Sequence, residues 1–506
     1  MLWGRLLAVL AVAATTAAPA LIATPAAASP RIASPRIAWG PCADPAFAAA
    51  GAECGSLAVP LAYDDPSGPR VEIALSRVRH RVPDAQYQGV LITVAGGPGG
   101  SGLQTFTASG PRVPDHAAEA YDWVSFDARG VGASRPALSC DPDYMDYRRP
   151  DYVPTTEKLE QTWLTRVRRY AQDCGAKNDP ALLANIKTAD TARDIDAIRA
   201  ALGVSRVTLY GISYGTYVLQ VYGTLFPTRV RRMVLDSTVD PRYVFYQVNL
   251  NQDVAMNRNL GAWMEWTARY DQVYHLGTTA AAVRKVYDAQ FSRLRATPAG
   301  GLVGPDELTD IFVIAEYGQS GWPTVADVFA RLVRGDWQPA KELFDAVGGR
   351  GNDNGYAVYL ATQCTDVQWP TDWNRWHADN WRTYPQASDF TWMNAWYNAP
   401  CIAWPARAGT PVTIDGKGVP SVLMVGEEYD GATPFPGSIE VRKRFPGASL
   451  ILEPGGTSHA ASLSGNPCVD PAIARYLLTG ERPPRKPGDG PDALCAPLPE
   501  PVPPSA

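Results

Sequence analysis

The sequence predicts an α/β protein whose mostly parallel sheet is interrupted by a large, mostly helical insertion. From about residue 71, short apolar runs alternate with segments of helical periodicity, and such alternation indicates a parallel sheet flanked by helices. After Asp240 the alternation stops, and it returns near residue 413. The stretch between is rich in tryptophan and in helical spacing. These three observations define one α/β domain that carries an inserted helical region.

The first part of the α/β domain is predicted at residues 39–240. In VEIALSRVRH, which begins at residue 71, apolar residues recur at every second position, as in a strand. Continuous apolar runs are typical of buried parallel strands, and helical spacing that ends at a glycine or proline indicates a helix. On these grounds we predict the strands GVLITVAGG, DWVSFDARG, RVTLYGIS and VRRMVLDS, and the helices TARDIDAIRAALG and TYVLQVYGTLFP.

The insertion is predicted at residues 241–412, where LGAWMEWTARYDQVYHL and ADVFARLVRGDW have helical spacing. The α/β pattern resumes at residues 413–495, with the predicted strands PSVLMVGEEYD and ASLILEPGG and the predicted helix PAIARYLLTG. Residues 496–506 are rich in proline, which predicts an irregular tail.

Composition excludes one class of partner. The 506-residue chain has a net charge of −5 and a pI near 5.7, and it contains no run of lysine and arginine. We therefore expect no nucleic-acid partner. Fifteen tryptophans and 23 tyrosines fit either a densely packed core or an aromatic-lined substrate cleft, and composition leaves both open.

The N-terminus, residues 1–28, has the pattern of a cleavable secretory signal peptide. Arg5 gives a positive start, LLAVLAVAA an apolar segment, and the three alanines at 26–28 a cleavage site. The alternative is a membrane anchor, but the apolar run is shorter than the roughly 20 residues that a span needs. We expect a secreted, extracellular protein that has no membrane contact after cleavage.

Eight cysteines fit export, because an oxidising compartment favours disulfides. None lies in a CxxC pair, so we expect no bound metal. The cysteines fall into four pairs that are local in sequence, and we predict the bridges Cys42–Cys54, Cys140–Cys174, Cys364–Cys401 and Cys468–Cys495.

The stretch LYGISYGTY, residues 209–217, places Ser213 between Gly211 and Gly215. A predicted strand precedes this serine and a predicted helix follows it. G-x-S-x-G in that context is the nucleophile turn of α/β-hydrolases, where larger side chains at the glycines would collide with the neighbouring strand and helix. The sequence thus predicts an α/β-hydrolase fold with Ser213 as nucleophile.

A serine nucleophile needs a histidine base, which in this fold follows it in the chain. Three histidines follow Ser213: His275 and His377 lie in the insertion, and His459 follows a predicted strand in EPGGTSHAAS. We predict that His459 is the base because its position after the last predicted strand is where the fold places it.

The base needs an orienting acid at the end of the preceding strand. VLMVGEEYDGATPF offers Glu427, Glu428 and Asp430 there, and Asp430 lies furthest into the loop. Asp430 is therefore the predicted acid. Asp236, at the end of VRRMVLDS, is the alternative because that strand also ends near the site.

The oxyanion that forms during acyl transfer needs backbone donors. One is predicted to be the N–H of Tyr214, the residue after the nucleophile. The other should come from the glycine-rich loop VAGGPGGSG, residues 94–102. We favour Gly97 as that donor, with Gly96 as the alternative.

The motifs GGPGGSG, FDARGVGAS, GISYGTY, RMVLDSTVDP and YDGATP together resemble those of secreted tripeptidyl aminopeptidases, which are related to the prolyl aminopeptidases. The resemblance implies a helical cap over the site and release of short peptides, tripeptides or single residues from a free N-terminus. By motif, it matches Ser213, Asp430 and His459 to the nucleophile, acid and base. It also implies that Asp127 and Arg129 form a buried pair supporting the oxyanion loop.

The expected substrate is therefore a peptide with a free N-terminus, and the expected enzyme is a monomer that needs no cofactor. Its substrate amine should meet a carboxylate of the cap. Glu316 in IFVIAEYG and Asp366 in YLATQCTDVQWP are the candidates, because their neighbours are apolar or disulfide-bonded. Two alternatives remain: a carboxylesterase with the same three residues, and a non-catalytic binding protein on a hydrolase scaffold.

Overall fold

A single sheet runs through the protein. The computed structural model describes residues 36–105 and 109–504, so the predicted signal peptide lies outside the described residues. Within these residues the strands are β1 (Gly40–Pro41), β2 (Glu53–Pro60), β3 (Arg70–Val78), β4 (Val90–Val94), β5 (Asp122–Phe126), β6 (Val207–Ile212), β7 (Val230–Asp236), β8 (Val422–Glu427), β9 (Ala448–Glu453) and β10 (Ala493–Leu494).

The spatial order of the strands is β1-β2-β3-β5-β4-β6-β7-β8-β9-β10. From β1 to β5 neighbouring strands are antiparallel, and from β5 through β4 to β10 they are parallel. This confirms the predicted α/β-hydrolase fold. Because the carboxyl ends of parallel strands meet at one edge of a sheet, the loops after β4, β6, β7, β8 and β9 come together there.

The helices outside the insertion flank this sheet. They are α1 (Pro45–Ala49), α2 (Glu157–Lys177), α3 (Pro180–Ala184), α4 (Thr188–Ala201), α5 (Tyr214–Leu225), α15 (Pro436–Arg444) and α16 (Val469–Thr479). The central strands β6, β8 and β9 are buried almost throughout, which explains why they are continuous apolar runs in the sequence.

The insertion is helical, as predicted, and we call it the cap. Its helices are α6 (Tyr246–Arg269), α7 (Asp271–Tyr274), α8 (Ala280–Ala296), α9 (Pro305–Tyr317), α10 (Trp322–Val333), α11 (Gln338–Val347), α12 (Asn354–Asp366), α13 (Trp373–Thr383) and α14 (Thr391–Asn398). Trp263, Trp322 and Phe329 belong to a hydrophobic core of the cap's own. The domain limits at residues 240, 412 and 495 stay predictions, because the described chain folds as one compact unit.

Four disulfides join Cys42 to Cys54, Cys140 to Cys174, Cys364 to Cys401 and Cys468 to Cys495. Beyond Cys495 the described tail is irregular and lies against the cap. There Trp266 Nε1 donates to the Pro501 carbonyl at 2.9 Å, and Gln319 Nε2 donates to the Leu498 carbonyl at 3.0 Å. In the part of the chain that the structure describes, no helix is both long and apolar enough to cross a bilayer.

Candidate active site

Ser213 occupies a sharp turn between β6 and α5. Its backbone has φ 57° and ψ −127°, a conformation that costs an L-residue energy and that occurs often at functional sites. A Cβ at Gly215 would lie 2.3 Å from the Val94 carbonyl oxygen, and one at Gly211 would lie 2.8 Å from the Gly215 carbonyl oxygen. The two glycines are therefore required by close backbone contacts, and they hold the serine at the sheet edge.

His459 and Asp430 form a hydrogen-bonded pair. The Nδ1 atom of His459 lies 2.9 Å from each carboxylate oxygen of Asp430. Asp430 also accepts hydrogen bonds from the Ala432 and Thr433 backbone amides, at 2.9 and 2.8 Å, and from the Thr433 hydroxyl at 2.8 Å. These bonds fix the carboxylate, which in turn fixes the ring orientation and leaves Nε2 for chemistry.

The electrostatics of this pair suit a base and its orienting acid. Burial opposes ionisation of Asp430, but the His459 charge and the hydrogen bonds from His459 and Thr433 hold its pKa below the usual value. Burial alone would lower the pKa of His459, yet the Asp430 charge, their hydrogen bond and the Asp236 charge raise it above 6.5. The imidazolium that forms when His459 takes a proton is thereby stabilised.

Asp236, the alternative acid, has different partners. It accepts hydrogen bonds from the Ser462 backbone amide at 3.1 Å and from the Ser462 hydroxyl. Next to it, the Ser237 hydroxyl accepts from the Ala460 amide at 2.7 Å. Burial raises the pKa of Asp236 to about 6. Hydrogen bonds thus connect the end of β7 to the loop that carries His459, which we call the histidine loop. The same end of β7 contacts Ser213, whose amide donates to the Asp236 carbonyl at 3.0 Å.

Two backbone amides are free to stabilise an oxyanion. Among the described residues, neither the Gly97 nor the Tyr214 amide donates to an acceptor. Gly97 lines the same cavity as Ser213. Gly96 does not line it, and a Cβ there would lie 3.0 Å from the Ser213 Cβ. Gly97 is consequently better placed than Gly96 to face a substrate.

The expected buried pair of Asp127 and Arg129 has a different arrangement. Asp127 supports the loop after the glycines, accepting from the Ser101 hydroxyl at 2.6 Å and from the Gly102 amide at 2.9 Å. Arg129 instead forms two hydrogen bonds with Asp194, at 2.8 and 2.6 Å. The resemblance was right about their burial, but the two residues are not partners, because the guanidinium reaches α4.

Ser213 opens into a cavity of about 520 Å³ between the core and the cap. Six tyrosines line it, whereas most of the large fully buried side chains are tryptophans. The aromatic residues therefore serve both purposes that composition left open: tyrosines line the cleft, and tryptophans fill the core. Of the described residues that line this cavity, none is lysine, arginine or histidine, and two, Asp310 and Asp353, are carboxylates.

The two carboxylates differ in availability. Asp353 is 3% exposed, and its oxygens accept from Ser139, from the Cys140 and Asp141 amides and from Tyr170. The side chain of Asp310 is 19% exposed. It is held by Arg149 at 2.7 Å and by the Tyr152 hydroxyl at 3.0 Å. Asp310 is thus the carboxylate that a ligand can reach.

Neither carboxylate expected from the sequence lines the cavity. Glu316 is 2% exposed, and burial, together with Asp389 and Asp253, raises its pKa well above the usual value. Asp366 accepts from the Thr188 amide at 2.7 Å and from the Thr188 hydroxyl. Burial raises its pKa to about 7. Glu316 is thus buried in the cap, and Asp366 joins the cap to the core helix α4.

Helical periodicity groups Asp310 with the residues of α9 that line the site, although periodicity alone does not show which face of the helix that is. Asp310, Val313, Ile314 and Tyr317 lie at positions i, i+3, i+4 and i+7 of α9, which is one face of a helix, and all four line cavities at the site. Glu316 is next to Tyr317 in sequence, but it lies on the buried side of that helix.

Asn259 of α6 joins the cap to the loops that carry Asp430 and His459. Its buried side-chain amide lies 3.0 Å from the Glu316 and Tyr429 carbonyl oxygens and 3.1 Å from that of Thr457. Tyr429 precedes Asp430, and Thr457 is two residues before His459. One side chain therefore connects the end of α9 with the loops that carry the acid and the base. No local motif in the sequence marks it.

The fold and this arrangement define a serine hydrolase of the α/β-hydrolase class. The family profile described as TAP-like protein matches residues 388–490. The tripeptidyl aminopeptidase of Streptomyces coelicolor is 41% identical over 460 residues, which cover 88% of this chain and 83% of that protein.

Two relatives from Mycobacterium tuberculosis are also similar. The serine protease Hip1 is 29% identical, over 86% of this chain and 86% of its own. Carboxylesterase B is 32% identical, over 86% of this chain and 85% of its own. The chain belongs to the tripeptidyl aminopeptidase family of serine peptidases.

Proposed function

We propose that this protein is a secreted serine exopeptidase that releases tripeptides, or other short N-terminal pieces, through an acyl-enzyme. The observation that carries this proposal is the cavity at Ser213, which has one reachable carboxylate and no cationic side chain among its described lining residues. A pocket of about 520 Å³ is of the size that encloses a small ligand. The name of the Streptomyces relative supports the tripeptide.

In the proposed reaction Ser213 Oγ attacks the scissile carbonyl carbon while His459 takes the hydroxyl proton. The oxygen that becomes negative is held by the Gly97 and Tyr214 amides. His459 then gives its proton to the leaving nitrogen, and the C–N bond breaks. Water, deprotonated by His459, attacks the ester on Ser213, and the proton returns to the serine when the peptide acid leaves.

In this scheme the hydrogen bond between Ser213 and His459 forms when the substrate binds. In the described residues the Ser213 hydroxyl has no hydrogen-bond partner, whereas His459 is already oriented by Asp430. Catalytic hydrogen bonds of ligand-free sites are commonly long and tighten in the complex. The bonds of β7 to the histidine loop hold that loop near the serine.

Asp310 is the proposed ligand of the substrate amine. A –NH3⁺ that enters the cavity loses hydration, so it needs a carboxylate partner. Buried Arg149 and Tyr152 hold Asp310 in one orientation, and Arg149 forms an ion pair with it at 2.7 Å. The substrate amine shares this carboxylate with the guanidinium, and no lysine or arginine is among the described residues that line the cavity. Asp310 thus takes the role that the sequence gave to Glu316 or Asp366.

The test compares a tripeptide anilide with its N-acetylated twin. We expect the wild-type enzyme to cleave the free-amine substrate at least about 10-fold more efficiently, because an ion pair of about 1.4 kcal/mol is worth that factor. Asp310→Asn should raise KM for the free-amine substrate by about the same factor and leave the acetylated one unchanged. The control is Asp288→Asn, a 55% exposed acid of the cap. Equal cleavage of both substrates by wild type would overturn the proposal.

A carboxylesterase remains the second candidate, since carboxylesterase B of M. tuberculosis is 32% identical and would use the same three residues. Esters and amides with one common acyl group separate the two functions. Hydrolysis of small esters, without any cleavage of free-amine peptides, would favour the esterase.

Secretion is proposed on the N-terminal pattern, and the four disulfides fit an extracellular protein. Expression of the full chain with its leader, followed by N-terminal sequencing of protein from the medium, tests this. The mature chain should begin just after Ala28. Retention of the protein in the cell with Met1 in place would contradict it.

A further inference from the structure

A second cavity, of about 490 Å³, borders the first on the side of His459. Ser458 and His459 form its core side, and Ile314, Gly318 and Ser320 are on its cap side. His459 lines this cavity and not the first, whereas Ser213 lines the first and not this one. The two cavities are contiguous, with Ser213 on the side of the first and His459 on the side of the second.

The two cavities share a wall. Its residues are Asp310, Val313, Tyr317 and Val347, which line both spaces. A substrate cleaved between Ser213 and His459 must extend to both sides of that wall. Its carbonyl group meets Ser213, and its leaving nitrogen must reach His459 to receive a proton. The departing part therefore lies on the histidine side.

We propose that the second cavity is the leaving-group subsite, and that Tyr317 makes it select an apolar first residue of the departing peptide. This inference rests on the function proposed above. It assigns the acyl part to the cavity of Ser213 and the departing amine to the cavity of His459.

Tyr317 is held in place by the catalytic loop. Its carbonyl accepts from the His459 amide at 2.8 Å. Its ring stands edge-on to the imidazole, with ring centroids 5.4 Å apart and planes at 87°. The side chain is nevertheless 42% exposed, and Val347 on the same wall is 49% exposed. Large apolar side chains left open at a cavity mouth are typical of a binding surface, so an apolar side chain of the departing residue can cover them.

The charge of the subsite disfavours acidic residues. Of the described residues that line the second cavity, His459 is the one that can become a cation, and Asp310 is a carboxylate on the shared wall. An aspartate as the first departing residue would enter without a partner and close to Asp310. Rejection of such a residue gives selectivity through repulsion.

The experiment uses substrates with one acyl part and different leaving groups. A free-amine tripeptide is joined to glycine amide, leucine amide or aspartate amide, and kcat/KM is measured for each. We expect wild type to prefer leucine over aspartate by about 10-fold or more, since contacts of a few apolar carbons are worth that factor. Tyr317→Ala should lower the leucine-to-glycine ratio by roughly 5- to 10-fold.

A second variant tests the subsite without changing Tyr317, because the Tyr317 ring contacts His459 and its loss could also disturb the base. Ser320→Trp places a large ring at the exposed Ser320 of the second cavity and should lower kcat/KM for all three peptides about 10-fold. The control is Ser292→Trp, at an exposed serine of α8 that lines another cavity of the cap, and it should leave all three values unchanged.

The outcomes separate the two proposals. Unchanged ratios in Tyr317→Ala together with unchanged rates in Ser320→Trp would overturn the subsite while leaving peptidase activity intact. If wild type cleaves none of the peptides, the proposed function fails. The same variants are then measured on esters that share one acyl group and carry small or large alcohols. A lost preference for the large alcohol would support the subsite for that chemistry, and an unchanged preference would overturn it.

Discussion

The sheet edge and the cap contribute to the site in different ways. Every group proposed to take part in bond breaking follows a strand of the sheet: Gly97 after β4, Ser213 after β6, Asp430 after β8 and His459 after β9. Residues proposed to select the substrate, Asp310 and Tyr317, lie on one helix of the cap. In the proposed scheme, the chemistry therefore depends on the sheet edge and the selection of substrate on one helical face of the cap.

The separation is incomplete at Asn259. This cap residue bonds to the loops of both Asp430 and His459, so the geometry of the proposed acid and base also depends on the cap. Substitutions at the sheet edge, at Asn259 and under the histidine loop therefore test how far the core and the cap act separately.

The largest effect is expected for Ser213→Ala. Removal of the attacking oxygen should lower kcat by roughly 10⁵-fold or more while the fold is kept, because the residue is small and the turn is preserved. Turnover of a tripeptide anilide, labelling by a serine-directed phosphonate and Tm measure this. Ser292→Ala, at an exposed serine of α8 away from both cavities of the site, serves as control. A folded Ser213→Ala variant with near-normal turnover would show that Ser213 at the sheet edge is not the nucleophile.

The next effect is expected for Asp430→Asn, with a loss in kcat of about 10³- to 10⁴-fold, because the ring is then held in the wrong tautomer. Since Asp430 raises the pKa of His459, the acidic limb of kcat/KM should lie above pH 6.5 in wild type. It should move to lower pH in Asp430→Asn, as the base then loses its proton more easily. Asp236→Asn should lose only about 10-fold, through its hydrogen bonds to the histidine loop. A larger loss in Asp236→Asn than in Asp430→Asn would reverse the assignment of the acid.

The difference between core and cap also determines what could be predicted from the sequence. The strands β4, β6, β8 and β9 are continuous apolar runs, and their loops carry turn residues within a few positions of the proposed catalytic groups. The local sequence pattern is sufficient to predict these strands and the loops that follow them. The His459–Asp430 bond could be predicted because the fold class brings the ends of neighbouring strands together.

Long-range contacts of the cap could not be predicted in this way. Asp366 was expected to be held rigid near the substrate, but its partner is Thr188, far away in sequence. Within the core as well, a long-range partner was not predicted, because Arg129 bonds to Asp194 of α4 rather than to Asp127. Helical periodicity shows that α9 has two faces, but which face meets the cavity depends on how α6 and the core pack against it. Asp310 and Glu316 were therefore not distinguished.

Asn259→Ala tests the connection between cap and core. Loss of its hydrogen bonds should lower kcat roughly 10-fold for peptides and for small esters alike and leave KM nearly unchanged, because the change acts on the loops and not on the cavity. The matched control is Asn257→Ala on the same helix, where the lost bond is to the Asp389 amide within the cap. If both variants lose equally, or if only KM changes, the catalytic loops do not depend on the cap through Asn259.

The smallest effect on turnover is expected for Glu427→Gln, which acts on stability. Glu427, at the end of β8, accepts from the Ser458 amide beside His459. Burial, opposed by that hydrogen bond and assisted by the charges of Glu453, Asp430 and Asp236, raises its pKa to about 8. The folded protein therefore binds this proton more tightly than the unfolded chain does. Below the unfolded pKa, near 4.5, the stabilisation is complete, and it is lost as pH rises towards 8.

Each unit of pKa corresponds to about 1.4 kcal/mol. Ionisation of Glu427 should therefore lower the free energy of unfolding of wild type by a few kcal/mol as the pH rises from 5 to 8. Glutamine keeps the shape of the protonated acid and cannot ionise, so Glu427→Gln should flatten this dependence and gain stability mainly at pH 8. Urea unfolding at both pH values measures the difference. Glu428→Gln, in the adjacent residue, is the control and should keep the wild-type slope. Identical slopes in wild type and Glu427→Gln would show that the carboxylate under the histidine loop is already ionised in the folded protein.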